Sequence, residues 1–220
     1  MPMRADFAPW ATSLIRFAQI AAEMLAVALV PRLGLGRFGF TVFLPRPVHE
    51  AIAAELTFIE AMARRALFLI AAARGALPRE VSPSKARPAS SGRALPDAPA
   101  RISAPLFCLT EPDARRRIGK KVPPPTPNPG DAAPPLTEDT LLPTARLVRR
   151  LRALETVFLD PEANILRMRR LLAPGPEAIL SRRGFEAARA ASDNAVNFRL
   201  LGQVQGLVEG ALLQMRRDTG

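Results

Sequence analysis

The sequence is poor in the residues that support disulfides, zinc sites and aromatic cores. It contains one cysteine, one histidine, one tryptophan and no tyrosine among 220 residues. A single cysteine excludes an intramolecular disulfide, and one cysteine with one histidine cannot supply the ligands of a Cys/His zinc site. Aromatic residues account for 5% of the chain, which is unlike a β-sandwich, whose strands are rich in aromatic and β-branched side chains.

Candidates for catalysis are equally scarce. The only histidine, His49, is far along the chain from the only cysteine, Cys108, and a Cys–His nucleophile pair requires the two to meet. Residues 34–39 spell Gly-Leu-Gly-Arg-Phe-Gly. A dinucleotide fingerprint follows a strand and opens a helix, whereas here a predicted helix comes before and an extended segment after. We therefore expect a protein that is not an enzyme, with no catalytic residue, cofactor, metal or small-molecule substrate.

What the sequence has in excess is arginine, alanine and proline. There are 28 Arg against 3 Lys, and the formal net charge is +11. The excess of positive over negative charge is +3 in residues 1–77, +3 in residues 78–143 and +5 in residues 144–220. Because the excess is spread along the chain without a polybasic tail, it fits a codon bias as well as a phosphate-bearing partner.

Proline divides the chain into three regions. Residues 78–143 hold 15 of the 23 prolines, a density that no ladder of strands tolerates. We predict a helical hairpin in residues 1–77, a disordered Pro-rich linker in residues 78–143 and an Arg-rich helical region in residues 144–220. The predicted fold class is mainly α, in which the two helical parts can close into one bundle, and no pair of strands is expected.

The spacing of apolar residues predicts where the helices begin and end. The pattern gives helices over residues 9–30, 48–75, 144–159, 161–173 and 195–216, the last being the second of two pieces within 185–217. The helix over 48–75 shows one clear apolar stripe. Asp160 followed by Pro161 is typical of an N-cap and a first helical position, so we expect a break between the third and fourth helices.

The first predicted helix is apolar around most of its circumference. Thr12, Arg16, Gln19 and Glu23 form one narrow polar stripe. Arg16, Gln19 and Glu23 make residues 14–30 a poor membrane span, and Arg16 and Glu23 interrupt the apolar run that a signal peptide needs. We expect a cytoplasmic protein, with membrane association as the alternative. Such a helix must be covered by the C-terminal helices, by a second copy of the protein or by a membrane surface.

Three sets of residues are candidates for interaction with a partner. One is an arginine face on the third and fourth helices, one is a basic cluster in the linker, and one is a glycine stripe with the spacing of a helix-packing motif. Their members are Arg146, Arg149, Arg167 and Arg170 for the face, Arg115, Arg116, Arg117, Lys120 and Lys121 for the cluster, and Gly202, Gly206 and Gly210 for the stripe. The linker also contains an apolar island, residues 102–109.

Together these features favour a non-enzymatic helical interaction or scaffold protein. Its partner would be another protein or a second copy of the chain. The alternative is an Arg-rich protein that binds nucleic acid or an anionic membrane surface. Salt distinguishes the two, because binding to a polyanion collapses steeply as the salt concentration rises, whereas apolar binding does not.

Overall fold

The chain folds into a mainly helical structure, as predicted. The computed structural model describes residues 4–35, 39–77, 107–111, 137, 140–191 and 194–217. The helices in these ranges are α1 (Pro9–Arg32), α2 (Arg46–Arg74), α3 (Ala145–Leu159), α4 (Pro161–Leu172), α5 (Arg182–Ala190) and α6 (Ala195–Arg217). Two short strands are β1 (Phe43–Pro45) and β2 (Leu141–Pro143), and a 3₁₀ turn at Pro176–Ala178 precedes α5.

The observed ends of α1, α2, α3, α4 and α6 lie within two residues of the predicted ends. Local signals explain this agreement. Before α4, the carboxylate of Asp160 accepts a hydrogen bond from the backbone N–H of Ala163 at 3.1 Å, and Pro161 takes the first helical position. The predicted break between α3 and α4 is therefore confirmed.

The central element of the core is α2. This 29-residue helix packs against α1, α4, α5 and α6, and between Phe58 and Ala72 it is buried around most of its circumference. A surface helix shows one apolar stripe, whereas a helix enclosed by others buries nearly every side. The buried set on α2 is consequently wider than the single stripe that the sequence indicates.

Small side chains line the contact between α1 and α2. The buried residues of α1 are Ala11, Ile15, Ala18, Ala22, Ala26 and Leu29. Because four of the six are alanines, the axes of the two helices can approach closely. The C-terminal helices α3 and α6 also contact α1, so the structure provides part of the cover that the apolar first helix requires.

The two strands contradict the expectation that no strands pair. They run antiparallel, with Phe43 opposite Pro143, Leu44 opposite Leu142 and Pro45 opposite Leu141. The pair is bounded by a hydrogen bond from Thr144 N–H to the Val42 carbonyl at 3.0 Å. Proline is tolerated here because the strands are short and each proline lies where its missing N–H would point away from the partner.

Part of the predicted linker contributes to the core. Phe107 and Leu109 of the apolar island are buried, and the backbone N–H of Glu111 donates to the carbonyl of Ile179 at 2.9 Å. The basic cluster lies outside the described residues, and its members are Arg115, Arg116, Arg117, Lys120 and Lys121. Most of the Pro-rich stretch also lies outside them, so its disorder stays a prediction.

Candidate interaction surfaces

On the side opposite to α2, helix α1 presents an apolar seam to solvent. The residues of this α1 seam are Trp10, Ser13, Phe17, Ile20, Met24, Val27 and Pro31. Their spacing alternates between three and four residues, which is the heptad pattern of a helix that packs against another helix. All seven are exposed, and the five large apolar residues keep between 44% and 68% of their surface accessible. A contiguous exposed stripe of this kind makes this side of α1 a candidate interaction surface.

The sequence alone conceals the α1 seam, although its spacing is present there. Both the buried and the exposed side of α1 are apolar, so the only contrast along the helix is the narrow polar stripe. Contact of Ala18 and Ala22 with the core distinguishes the buried side from the α1 seam. That distinction requires the position of α2, which local periodicity does not contain.

One flank of the α1 seam carries two opposite charges. Arg16 and Glu23 are exposed and stand one heptad apart, so they occupy equivalent positions beside the seam. Neither forms an ion pair with another residue in the part of the chain that the structure describes. The two charges cancel, unlike those of helices that lie on membranes, whose polar faces are rich in lysine and arginine.

By length and composition, α1 meets the criteria for a membrane span. A signal sequence near the N-terminus meets the same criteria, and so does a core helix of a soluble protein. In this structure one side of α1 is buried against the other helices, with Ala18 and Ala22 inaccessible to solvent. The finding is one apolar N-terminal helix, and composition alone does not assign it to a membrane.

A shallow groove extends the α1 seam towards α6. Its volume is about 740 Å³, and its lining includes Trp10, Leu14 and Phe17 from α1 together with Gly206 and Leu207 from α6. The groove is mostly apolar because only Ser13 and Gln203 add polar side chains to it. It widens the surface that a partner of α1 can contact.

The predicted glycine stripe lies on the outer side of α6. Gly202, Gly206 and Gly210 are exposed, and a Cβ atom added to any of them would have no neighbour within 4 Å. The stripe is therefore not a packing face between helices of the described chain. Gly206 borders the groove beside α1, so the stripe stays open to a partner from outside.

The four arginines of the predicted face lie in different surroundings. Arg146, Arg149, Arg167 and Arg170 are all exposed. Arg146 lines a pocket between α2, α3 and α5, while Arg167 and Arg170 line a second pocket beside the apolar island. Arg149 lines neither pocket, and its Nε donates to the carbonyl of Ala145 at 3.3 Å.

The pocket that contains Arg146 is lined by four arginines, and we call it the arginine pocket. Its volume is about 390 Å³ and its arginines are Arg64, Arg146, Arg150 and Arg183. Glu60 lies between two of them, because it accepts hydrogen bonds from Arg64 Nη2 at 3.0 Å and from Arg150 Nε at 2.8 Å. One carboxylate thus fixes two guanidinium groups.

A buried ion pair lies beside the arginine pocket. Arg65 Nη1 donates to Glu111 Oε1 at 2.7 Å, and the backbone N–H of Ser181 donates to Glu111 Oε2 at 2.6 Å. Burial lowers the pKa of Arg65 from its ordinary value, and the adjacent carboxylate of Glu111 opposes that shift. No local sequence signal indicates this pair, because the two residues are 46 positions apart and both residue types are usually exposed.

Comparison of the chain with protein-family models, with curated proteins and with solved structures finds no match. Among the described residues, no group of three or more His, Cys, Asp or Glu side chains could hold a metal ion. The α1 seam and the arginine pocket are the two features whose geometry, exposure and charge point to a function.

Proposed function

We propose that the chain is a non-enzymatic helical interaction protein whose α1 seam pairs with the α1 seam of a second copy. The observation that carries the proposal is the exposure of Trp10, Phe17, Ile20, Met24 and Val27 at heptad spacing. A heptad seam packs its side chains between those of a facing helix, so its natural partner is another helix of the same pattern.

The charges beside the seam favour an antiparallel arrangement of the two helices. A two-fold axis that passes near Gln19 and Ile20 places Arg16 of each copy opposite Glu23 of the other. A parallel arrangement in register would instead place Arg16 beside Ala21 and Glu23 beside Ala28 of the other copy, so that no ion pair forms. Charges that flank a helix pair set its orientation in this way, because like charges repel and opposite charges attract.

The size of the exposed surface is adequate for association. Five large apolar side chains at these exposures present on the order of 600 Å², which is the upper end of the range for an apolar patch on a monomer. The groove towards α6 adds to this area. A stable interface buries about 800 Å² on each partner, so the α1 seam and the groove together approach that size.

Sedimentation equilibrium of the full chain tests the proposal. We expect Phe17→Asp, which places a charge in the α1 seam, to lower the association constant at least tenfold. The matched control is Leu159→Asp, because Leu159 is 85% exposed at the end of α3 and lies outside the seam. A parent protein that stays monomeric at high concentration would overturn the proposal, as would a Phe17→Asp variant that associates like its parent.

A charge exchange tests the antiparallel arrangement. Arg16→Glu alone and Glu23→Arg alone each create like-charge contacts across the pair, so each should weaken association several-fold. The double variant restores opposite charges and should recover the parent's association constant. Exposed ion pairs contribute about 0.2–1 kcal/mol each, and two identical contacts occur per dimer. Equal weakening in the single and double variants would contradict this arrangement.

Salt and liposomes separate this function from the Arg-rich alternative. Self-association through an apolar seam should change little between low and high salt, whereas binding to nucleic acid should fall steeply. Flotation with phosphatidylcholine liposomes tests the membrane alternative. If the parent protein is monomeric and floats with the liposomes, and the Phe17→Asp variant does not float, the α1 seam binds a membrane surface. That result would overturn the proposal.

A further inference from the structure

We propose that the arginine pocket binds a small anion that carries phosphate. This inference is independent of self-association, because the pocket is formed by α2, α3 and α5 and includes no residue of the α1 seam. A volume of about 390 Å³ is within the range of small-molecule sites. The chemistry of the lining residues determines which class of ligand fits.

The balance of charge in the pocket is strongly positive. Arg64 and Arg150 share the single carboxylate of Glu60, while the carboxylate of Glu111 is occupied by the buried Arg65. Four arginines therefore face one available carboxylate, a net charge of +3. A multiply charged anion would neutralise this excess, which a neutral or cationic ligand would not.

Two of the arginines are held in place before any ligand arrives. Arg64 donates from Nε to the Cys108 carbonyl at 2.7 Å and is 7% exposed. Arg150 donates from Nη2 to Thr57 Oγ1 at 3.1 Å. The Nη1 groups of both arginines are not used by these bonds, so they can donate to an oxyanion. Fixed guanidinium groups lose little conformational entropy on binding, which favours affinity.

The other two arginines that line the pocket differ from Arg64 and Arg150 in their exposure. Arg146 and Arg183 are exposed, and neither forms an ion pair with another described residue. Both line the same pocket as Arg64 and Arg150, so four arginines border one recess. Arginine pairs with phosphate through two parallel hydrogen bonds, and a phosphate group offers more acceptor oxygens than one carboxylate.

The grouping of four arginines around one recess also distinguishes this site from a nucleic-acid surface. A strand of nucleic acid is tracked by cations spread along a groove. Of the arginines that the structure describes on α4, Arg167 and Arg170 do not continue the arginine pocket, because they line a separate one. The arginine pocket therefore fits one compact anion, such as a phosphomonoester or a pyrophosphate, better than an extended polyanion.

Isothermal titration of the full chain with inorganic pyrophosphate tests the site. We expect saturable binding to the parent protein and at least a tenfold weaker affinity in the double variant Arg146→Gln/Arg183→Gln. The matched control is Arg149→Gln/Arg167→Gln, which removes the same charge from exposed residues outside the pocket and should bind within twofold of the parent. Circular dichroism spectra should be unchanged, since all four side chains are exposed.

Three results would overturn the assignment. The first is a parent protein that binds neither pyrophosphate nor inorganic phosphate. The second is equal weakening in the pocket variant and the control variant, which would indicate a diffuse charge effect. The third is equally tight binding of citrate, which would show that the pocket does not select phosphate.

Vesicles of phosphatidylcholine with phosphatidic acid identify the source of the phosphate group. If the parent protein sediments with these vesicles and the Arg146→Gln/Arg183→Gln variant does not, the phosphate belongs to a lipid head group. Absence of sedimentation, with pyrophosphate binding intact, would assign it to a soluble ligand. Both outcomes support phosphate as the recognised chemistry.

Discussion

A Cβ atom added to Gly184 would collide with the carboxylate of Glu111. The carboxylate cannot move aside, because Ser181 and Arg65 both hold it by hydrogen bonds inside the protein. Glycine at position 184 of α5 therefore allows the helix to approach the buried ion pair. The contact connects α5 to α2 through the side chain of Glu111.

Gly184→Ala should consequently destabilise the protein. Overpacking of a well-filled site costs about 1–3 kcal/mol, which exceeds the gain from replacing glycine in a helix. Gly202→Ala is the matched control, because its added Cβ meets no atom within 4 Å and should stabilise the protein by about 0.5–1 kcal/mol. Urea denaturation monitored by circular dichroism measures both, and effects of the same sign would contradict the prediction.

Removal of one member of the buried ion pair should be more costly. Glu111→Leu leaves the guanidinium of Arg65 inside the protein without a counter-charge, and we expect a loss of about 3–5 kcal/mol in the free energy of unfolding. Arg65→Met/Glu111→Leu removes both charges and should be more stable than Glu111→Leu alone. The single variant Arg65→Met completes the comparison. If the double variant loses as much free energy of unfolding as the two single variants together, the charges do not interact.

The close contact between α1 and α2 should not accept larger side chains. Ala22 is fully buried, so Ala22→Leu should force the helices apart and lower the free energy of unfolding by about 1–3 kcal/mol. Ala28→Leu, on the exposed side of the same helix, is the control and should have little effect. Thermal unfolding followed at 222 nm compares the two variants, and equal melting temperatures would contradict the prediction.

An exposed ion pair between α2 and α4 should make stability depend on pH. Arg74 Nη2 donates to Glu162 Oε1 at 2.8 Å, and this hydrogen bond lowers the pKa of the Glu162 carboxyl below its ordinary value. The folded protein therefore releases that proton more readily than the unfolded chain. The contribution to stability is present above the ordinary carboxyl pKa and is lost as the pH falls through the folded pKa.

Glu162→Gln removes this contribution. Its urea midpoint should fall less steeply than that of the parent as the pH is lowered from neutrality into the acidic range. A second ion pair of this kind joins Arg216 to Glu177, and its hydrogen bond lowers the pKa of the Glu177 carboxyl. Glu177→Gln should therefore change the pH dependence in the same direction. Identical slopes in parent and variants would show that these pairs do not stabilise the folded state.

The helices could be predicted from the sequence because their signals are local. Apolar spacing locates α1 to α4 and α6, and the Asp160–Pro161 pair locates the start of α4. These signals depend only on residues that are close together in the sequence, so they can be recognised without knowledge of the fold. Helical spacing also places Arg146 on an exposed arginine face, but nothing in that spacing groups it with Arg64, Arg150 and Arg183.

What the sequence could not supply is the pairing of distant residues. Phe43 pairs with Pro143, a hundred positions further along the chain, and two strands of three residues leave no pattern long enough to recognise. Arginine is usually exposed, so the sequence does not indicate that Arg65 is buried. Its burial depends on the positions of Glu111 and of the C-terminal helices around α2. The α1 seam likewise becomes distinct only when α2 covers the opposite side.

The sheet of β1 and β2 resists extension by a third strand. In an antiparallel ladder, alternate N–H groups point away from the partner strand. Here those positions are Phe43 and Pro45 on one edge and Leu141 and Pro143 on the other. Proline has no N–H to donate, so each edge lacks half of the donors that a joining strand would need. Open strand edges seed aggregation and domain swapping, and these two prolines protect the protein from that route to misassembly.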